Sequence, residues 1–599
     1  MPRIHVTTTA GLAFALLAAC AAVDNSDVAS PSASPDAAAP GERREADKSS
    51  SEIIVTAARV RGTQDVPVSV VSHHNGYVAA PPPPPPPPPA YVSGAVTAKR
   101  AAPMPMGGTR LDQRAPIYQE VGRDKFTSTT ENPFKIAEAE PVSTFSIDVD
   151  TASYSFVRAS LNQNVLPQPA AVRTEELVNY FPYDYAAPTS AQQPFSTNVA
   201  VMPSPWTEGR KLVRIGIKGY KIAPETRPRA NLVFLLDTSG SMQSANKLPL
   251  VKQSLAMLLD QLDAGDRVSI VTYAGSAGTV LEPTSAGEKS KILAALDRLE
   301  AGGSTAGAEG IRQAYALAEQ NLDPKSVNRV ILATDGDFNV GITDQNELKG
   351  YIERQRGKGI FLSVLGFGMG NYNDALMQTL AQNGNGAAAY IDTLSEARKT
   401  LVDEATSTLF PIAKDVKIQV EFNPATVAEY RLIGYETRML NREDFENDKV
   451  DAGDVGSGQT VTAIYEITPV DGPRANGELR YQTVAQRAPV VGKASEYGFV
   501  KIRYKLPKSD TSQLISTSID RRVEFARFDD APRDARFAVG VAAFAELLRG
   551  GKYSGSMTYD DVLAIVGAAR GSDDFGYRTE LVQMVRAAKS AGALARLDR

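Results

Sequence analysis

Between about residues 230 and 410, continuous apolar runs alternate with stretches of helical period. Asn231–Asp237 (NLVFLLD) has no polar interruption until its closing carboxylate. A run of that length and composition predicts a central parallel strand buried on both faces. Leu248, Val251, Leu255, Leu258, Leu259 and Leu262 recur at helical spacing and predict a helix over 248–262. Further strands are expected at 267–273 (RVSIVTY), 279–281, 328–334 (NRVILAT), 360–367 and 388–392, with helices near 287–299, 307–320, 344–356, 373–383 and 395–407. This alternation predicts a doubly wound, mostly parallel α/β sheet with helices on both faces. Ligands of such sheets sit beyond the carboxyl ends of the strands, at a topological switch point.

The flanks have a different period. Strand-like runs at 196–202 and 211–218 precede the α/β region, and runs at 415–422, 429–435, 459–467 and 498–505 follow it. The simplest arrangement is a β-sandwich module into which the α/β domain is inserted. From about 534 to 597 the pattern is helical and amphipathic, predicting a C-terminal helical segment packed on the sandwich. Asp148 and Asp150 stand just before a predicted helix starting near Thr151, where carboxylates cap helices more often than they bind metal.

The first residues, MPRIHVTTTAGLAFALLAAC, combine Arg3 with an apolar stretch from Ala10 to Ala19 that is too short to span a bilayer. They have the pattern of a secretory signal. The stretch ends Leu17-Ala18-Ala19-Cys20, which resembles the bacterial lipobox, and that resemblance implies lipidation at Cys20. Ala21, rather than an Asp, follows the cysteine, which by resemblance to lipoprotein sorting implies the outer membrane. Residues 21–140 are rich in Ala, Ser and Pro and predict a disordered linker. Within it Pro81–Pro89 is expected to form a stiff polyproline spacer of about 28 Å. Residues 52–71 (EIIVTAARVRGTQDVPVSVV) resemble the TonB-box region of outer-membrane receptors, implying a strand-adding contact with a TonB-like protein.

Composition then narrows the chemistry. The 599 residues carry a net charge of −5, so no basic field points to nucleic acid. The three histidines are His5, His73 and His74, and the one cysteine is Cys20. The folded part therefore has no imidazole or thiol for triad catalysis or zinc–sulfur sites. Its polar candidates are oxygens. Asp237, Ser239 and Ser241 lie on one turn (DTSGS), which Gly240 is expected to let bend back. Thr305 follows in the loop GGST, and Asp335 ends the strand NRVILAT. Oxygen-only donors favour Mg²⁺, Ca²⁺ or Mn²⁺ over zinc.

These residues carry a resemblance to the von Willebrand factor type A (VWA) family and its metal-ion-dependent adhesion site, D-x-S-x-S followed by a distant Thr and a distant Asp. The resemblance implies that Ser239, Ser241 and Thr305 coordinate directly, and that Asp237 and Asp335 act directly or through water. Residues 143–160 and 418–472 further resemble the extensions of a bacterial subfamily of A-domain lipoproteins. The domain layout expected is a signal peptide over 1–20, the linker over 21–140, an N-terminal family segment over 141–229, the VWA domain over 230–410, sandwich strands over 411–533 and the helical part over 534–599. The function expected is not enzymatic: a lipid-anchored envelope protein, facing the periplasm or the surface, that offers its Mg²⁺ to a partner's Asp or Glu carboxylate. Two alternatives are a scaffold engaging TonB-type machinery through residues 52–71 and a metal-dependent hydrolase, for which Asp337 is the candidate base.

Overall fold

A computed structural model describes residues 124–597 except 305–306, 337–344, 369, 371 and 478–494. Cys20, residues 52–71, Pro81–Pro89, Thr305 and Asp337 lie outside the described residues.

Ala230–Asp237 and Val327–Thr334 are strands buried at every position, which explains the apolar runs Leu232–Leu236 and Val330–Ala333; Asn231, Asn328 and Arg329 are buried polar residues near the strand starts. The sheet they anchor runs, edge to edge, Ala388–Ile391, Ile360–Phe367, Val327–Thr334, Ala230–Asp237, Arg267–Tyr273 and Ala277–Ser285. The first five strands are parallel. The last returns antiparallel as a hairpin and is longer than the predicted 279–281. On one face Leu232, Phe234 and Leu236 pack against helices Leu248–Leu259 and Lys289–Asp297. On the other, Val233 and Leu235 meet helices Gly307–Gln320, Gln345–Gly357 and Asp374–Asn383.

The helix expected over 395–407 is broken. Leu394–Arg398 is followed by a π-turn at Lys399–Asp403 and a short helix Ala405–Leu409. The wider turn accompanies a buried lysine. Lys399 Nζ bonds Glu404 at 2.6 Å and lies 4.2 Å from the centroid of the Tyr180 ring.

The flanking strands form two antiparallel sheets. One runs Lys135–Ile136, Val427–Ile433, Thr460–Pro469, Lys211–Gly219, Phe195–Pro203. The other runs Met439–Leu440, Val142–Ser146, Pro411–Phe422, Glu496–Lys505, Ser512–Asp520, with Gly453–Gly456 pairing Pro411–Phe422. Segments from either side of the α/β domain interleave in both: Val461 opposes Ile217, and Ile418 opposes Phe145. The chain leaves the sandwich and re-enters it at one place. Tyr220 and Phe410 both accept backbone hydrogen bonds, 2.9 Å each, from the turn at Ser457 and Gly458. The predicted insertion is therefore observed directly.

Helices Arg533–Leu548, Tyr559–Ala569 and Tyr577–Leu597 bury Phe537, Val541 and Phe544 against Met202, Leu212, Ile433 and Ile464 of the first sheet. Among the described residues no helix is long and apolar enough to cross a membrane.

The capping role expected of Asp148 and Asp150 does not occur. Helix Ala152–Asn162 starts after Thr151 with no side-chain cap. Asp150 instead accepts the Ala388 amide at 2.7 Å, and both aspartates clamp Arg438, at 2.7 Å from Asp150 and 2.9 Å from Asp148. A buried guanidinium demands paired charge far more strongly than a helix end demands a cap.

One buried acid makes the stability of this framework pH-dependent. Glu175 is 3 % exposed, and its Oε2 has no hydrogen-bond partner. Burial, reinforced by the charges of Glu436 and Glu176, pushes its carboxyl from 4.5 up to about 7. The folded chain then holds a proton that the unfolded chain releases near pH 4.5. Its contribution is complete below that pH and is lost as the pH rises to about 7. Relative to Glu175→Gln, wild type is expected to lose ~2–3 kcal/mol between pH 5 and 8, at ~1.4 kcal/mol per pH unit across the window. Paired urea titrations at the two pH values check this, and a constant difference between the proteins would contradict it.

Candidate metal centre

Strands Ala230–Asp237 and Val327–Thr334 are neighbours in register, with Leu236 opposite Ala333. After the first, the chain proceeds to Arg267–Tyr273 on one side. It returns to Val327–Thr334 on the other. Their exit loops diverge, which opens a crevice above the carboxyl ends of both strands. Asp237 and Asp335 stand at its floor, each fully buried.

Asp237 is held by hydroxyls and its own loop. Its Oδ1 accepts the Ser239 amide at 2.9 Å, and its Oδ2 accepts Tyr273 Oη–H and Thr334 Oγ1–H, each at 3.2 Å. Burial raises its carboxyl above the usual range, the Ser239 hydrogen bonds oppose this, and the charge of Asp335 raises it further. Ser239 Oγ and Ser241 Oγ are 3.0 Å apart. Asp335 Oδ2 takes the ammonium of Lys247 at 2.8 Å.

Backbone bonds fix the loops to one another. Thr238 N–H donates to Tyr273 O at 3.0 Å, Gly302 N–H to Thr238 O at 2.8 Å and Gly240 N–H to Gly303 O at 3.1 Å. The loop that leads to Thr305 is thereby tied to the DTSGS turn, although Thr305 itself lies outside the described residues. Gly240 does not do what its sequence position suggested. It is not left-handed, whereas Gly303 (φ +85°) and Gly336 (φ +97°) are. A Cβ at Gly240 would meet only Gly303 O, at an ordinary 3.6 Å.

The structure places Asp237, Ser239, Ser241 and Asp335 together at this crevice. It adds Tyr273, Thr334 and Lys247, which sequence reasoning missed. The first two had a signal: each is the polar tip of an apolar run flanking the Asp237 strand. Lys247 had none, since a lysine beside a helix start is ordinary.

The donor set suits a hard divalent cation. It offers two buried carboxylates and neutral hydroxyls, and no softer ligand. Among the described residues no three His, Cys, Asp or Glu side chains cluster around a metal position, so any ion here depends on the hydroxyls as well. A separate cavity of about 550 Å³ lies between the α/β domain and the sandwich, lined in part by Arg329, Ser363 and Asp454, and includes none of these residues.

Comparisons with known proteins follow the same division of the chain. Residues 231–404 match the family model of the von Willebrand factor type A domain, residues 120–214 that of von Willebrand factor, and residues 407–591 that of the C-terminal region of the uncharacterized protein YfbK. The chain is 42 % identical over 475 residues to uncharacterized protein YfbK of Escherichia coli K12, covering 78 % of this chain and 81 % of that one. It is 28 % identical over 239 residues to human inter-alpha-trypsin inhibitor heavy chain H4, covering 37 % of this chain and 25 % of that one. Among solved structures it is similar to a von Willebrand factor type A protein from Catenulispora acidiphila, at 15 % identity and TM-score 0.36, over 68 % of this chain and 91 % of that one. The α/β domain, the sandwich around it and the C-terminal helices are all spanned by these matches, and the chain belongs to the YfbK family, with a von Willebrand factor type A domain at its centre.

Proposed function

We propose that this chain is a binding protein that holds one divalent cation, Mg²⁺ first and Ca²⁺ or Mn²⁺ as substitutes, through Asp237, Ser239, Ser241, Thr305 and Asp335. The cation serves to capture a carboxylate of a protein partner. The observation that carries this is the pair of fully buried carboxylates beside two adjoining serine hydroxyls at the open end of the sheet. Two anions in a low-dielectric floor are costly, and the single ammonium of Lys247 balances only one of them, which leaves room for a cation. Both Asp237 oxygens already accept hydrogen bonds, which suits it to act through water while it orients the serine turn. Five protein groups leave one of six Mg²⁺ positions for a partner's Asp or Glu. Binding is favoured over hydrolysis because the described residues contain no histidine or cysteine to act as base or nucleophile.

The same reading anchors the chain to the cell envelope by lipid at Cys20, on the outer membrane. Radiolabelled palmitate should enter the wild-type protein and not Cys20→Ser. The binding function is tested by crosslinking the full chain in envelopes with and without EDTA. Capture of a discrete partner should vanish with chelator and return with excess Mg²⁺. Capture indifferent to chelator would sink the proposal.

A further inference from the structure

Lys247 is built into the cation crevice rather than resting beside it. Its ammonium is 2.8 Å from Asp335 Oδ2, and its side chain is 12 % exposed. The stem lies against Gly368 in the loop after strand Ile360–Phe367. A Cβ at Gly368 would come within 2.4 Å of Lys247 Cε and 2.7 Å of its Cγ. Gly368 also has φ +77°, so a side chain there would be strained as well as crowded. The backbone at Gly368 thus leaves room for this lysine that any side chain would take.

Its backbone position makes the placement more telling. Lys247 is the N-cap of helix Leu248–Leu259 and provides no side-chain cap. The helix dipole repels a cation at that end. The buried carboxylate of Asp335 offsets the repulsion.

We infer that Lys247 is a resident counter-cation: its ammonium neutralises Asp335 when no metal is bound and must leave when a divalent cation enters. This rests on the cation-binding reading above and adds its regulation. An ammonium and a dication sharing the fully buried Asp335 carboxylate would lie about 5 Å apart and repel each other. Lys247 therefore lowers cation affinity while protecting the cation-free fold.

The test uses the full chain, MnCl₂ titrations by calorimetry and by electron paramagnetic resonance, and melting curves without metal. Lys247→Met keeps the stem and removes the charge. It is expected to bind Mn²⁺ about tenfold tighter than wild type and to melt at a lower temperature without metal. Lys247→Arg, which keeps the charge, should bind no tighter than wild type. If the Met variant does not fold, Lys247→Gln is expected to behave in the same direction. Wild-type binding with unchanged or weaker affinity in the uncharged variant overturns this inference alone. Absence of Mn²⁺ binding in wild type and variant alike overturns the cation-binding reading and this one with it.

Discussion

Asp237→Asn is expected to weaken divalent-cation binding by up to ~100-fold while leaving the cation-free protein as stable as wild type or more so. The amide keeps the shape of the carboxyl and an oxygen for the Ser239 amide. It removes a charge that burial and Asp335 both penalise. Without a cation, that penalty is relieved; with one, the loss dominates. Asp237 reaches the cation through water, and changes at that remove cost about 10–100-fold in affinity, so a loss approaching ~100-fold is expected. A cation at a hundred times its Kd stabilises the protein that binds it by ~2.7 kcal/mol. Urea titrations with and without saturating Mg²⁺ should therefore diverge for wild type and coincide for the variant. Cation-dependent stabilisation that survived in Asp237→Asn would place the ion elsewhere.

Arg158→Ala is expected to be the most damaging single change away from the site. Arg158 is 2 % exposed on helix Ala152–Asn162. It pairs with Asp392, with Glu396 at 2.8 Å and with Glu580 at 3.0 Å, and donates to Tyr180 Oη at 3.0 Å. One guanidinium thus joins the N-terminal segment, the VWA domain and the last helix. Asp392 and Glu396 are nearly buried, so its removal strands two charges where water cannot reach them. Removing one partner from such a group costs ~3–5 kcal/mol. A loss below ~1 kcal/mol in chemical unfolding would show that the acids simply take up protons. Unfolding should also cease to be a single transition, because the three segments lose their common tie.

Much of this could be read from the sequence, and the exceptions share a cause. The VWA strands were legible because burial on both faces leaves apolar runs with no alternation, as at Leu232–Leu236 and Val330–Ala333. The site aspartates were legible because they end those runs. Ser512–Asp520 was missed because it is a sheet edge with its middle partly exposed, so neither period is clean. Val142–Ser146 was missed because STFS looks like a turn until Pro411–Phe422 pairs with it. The Asp148–Asp150 pair was misassigned because its partner, Arg438, is nearly 300 residues away in sequence and adjacent only in the fold. Lys247 belongs to the same class: its meaning depends on Gly368 and Asp335, neither of them near it along the chain.

The turn at Ser457 and Gly458, which holds both Tyr220 and Phe410, also constrains the order of folding. Sandwich pairs such as Ile217 with Val461 are separated by about 240 residues. Closing a flexible loop of that length costs about 5 kcal/mol in chain entropy. Once the VWA domain has folded, its two ends are already together, and the same pairing becomes nearly local. The inserted domain is therefore expected to fold before the sandwich closes around it. Mutations in its core are expected to slow formation of sheets they do not touch.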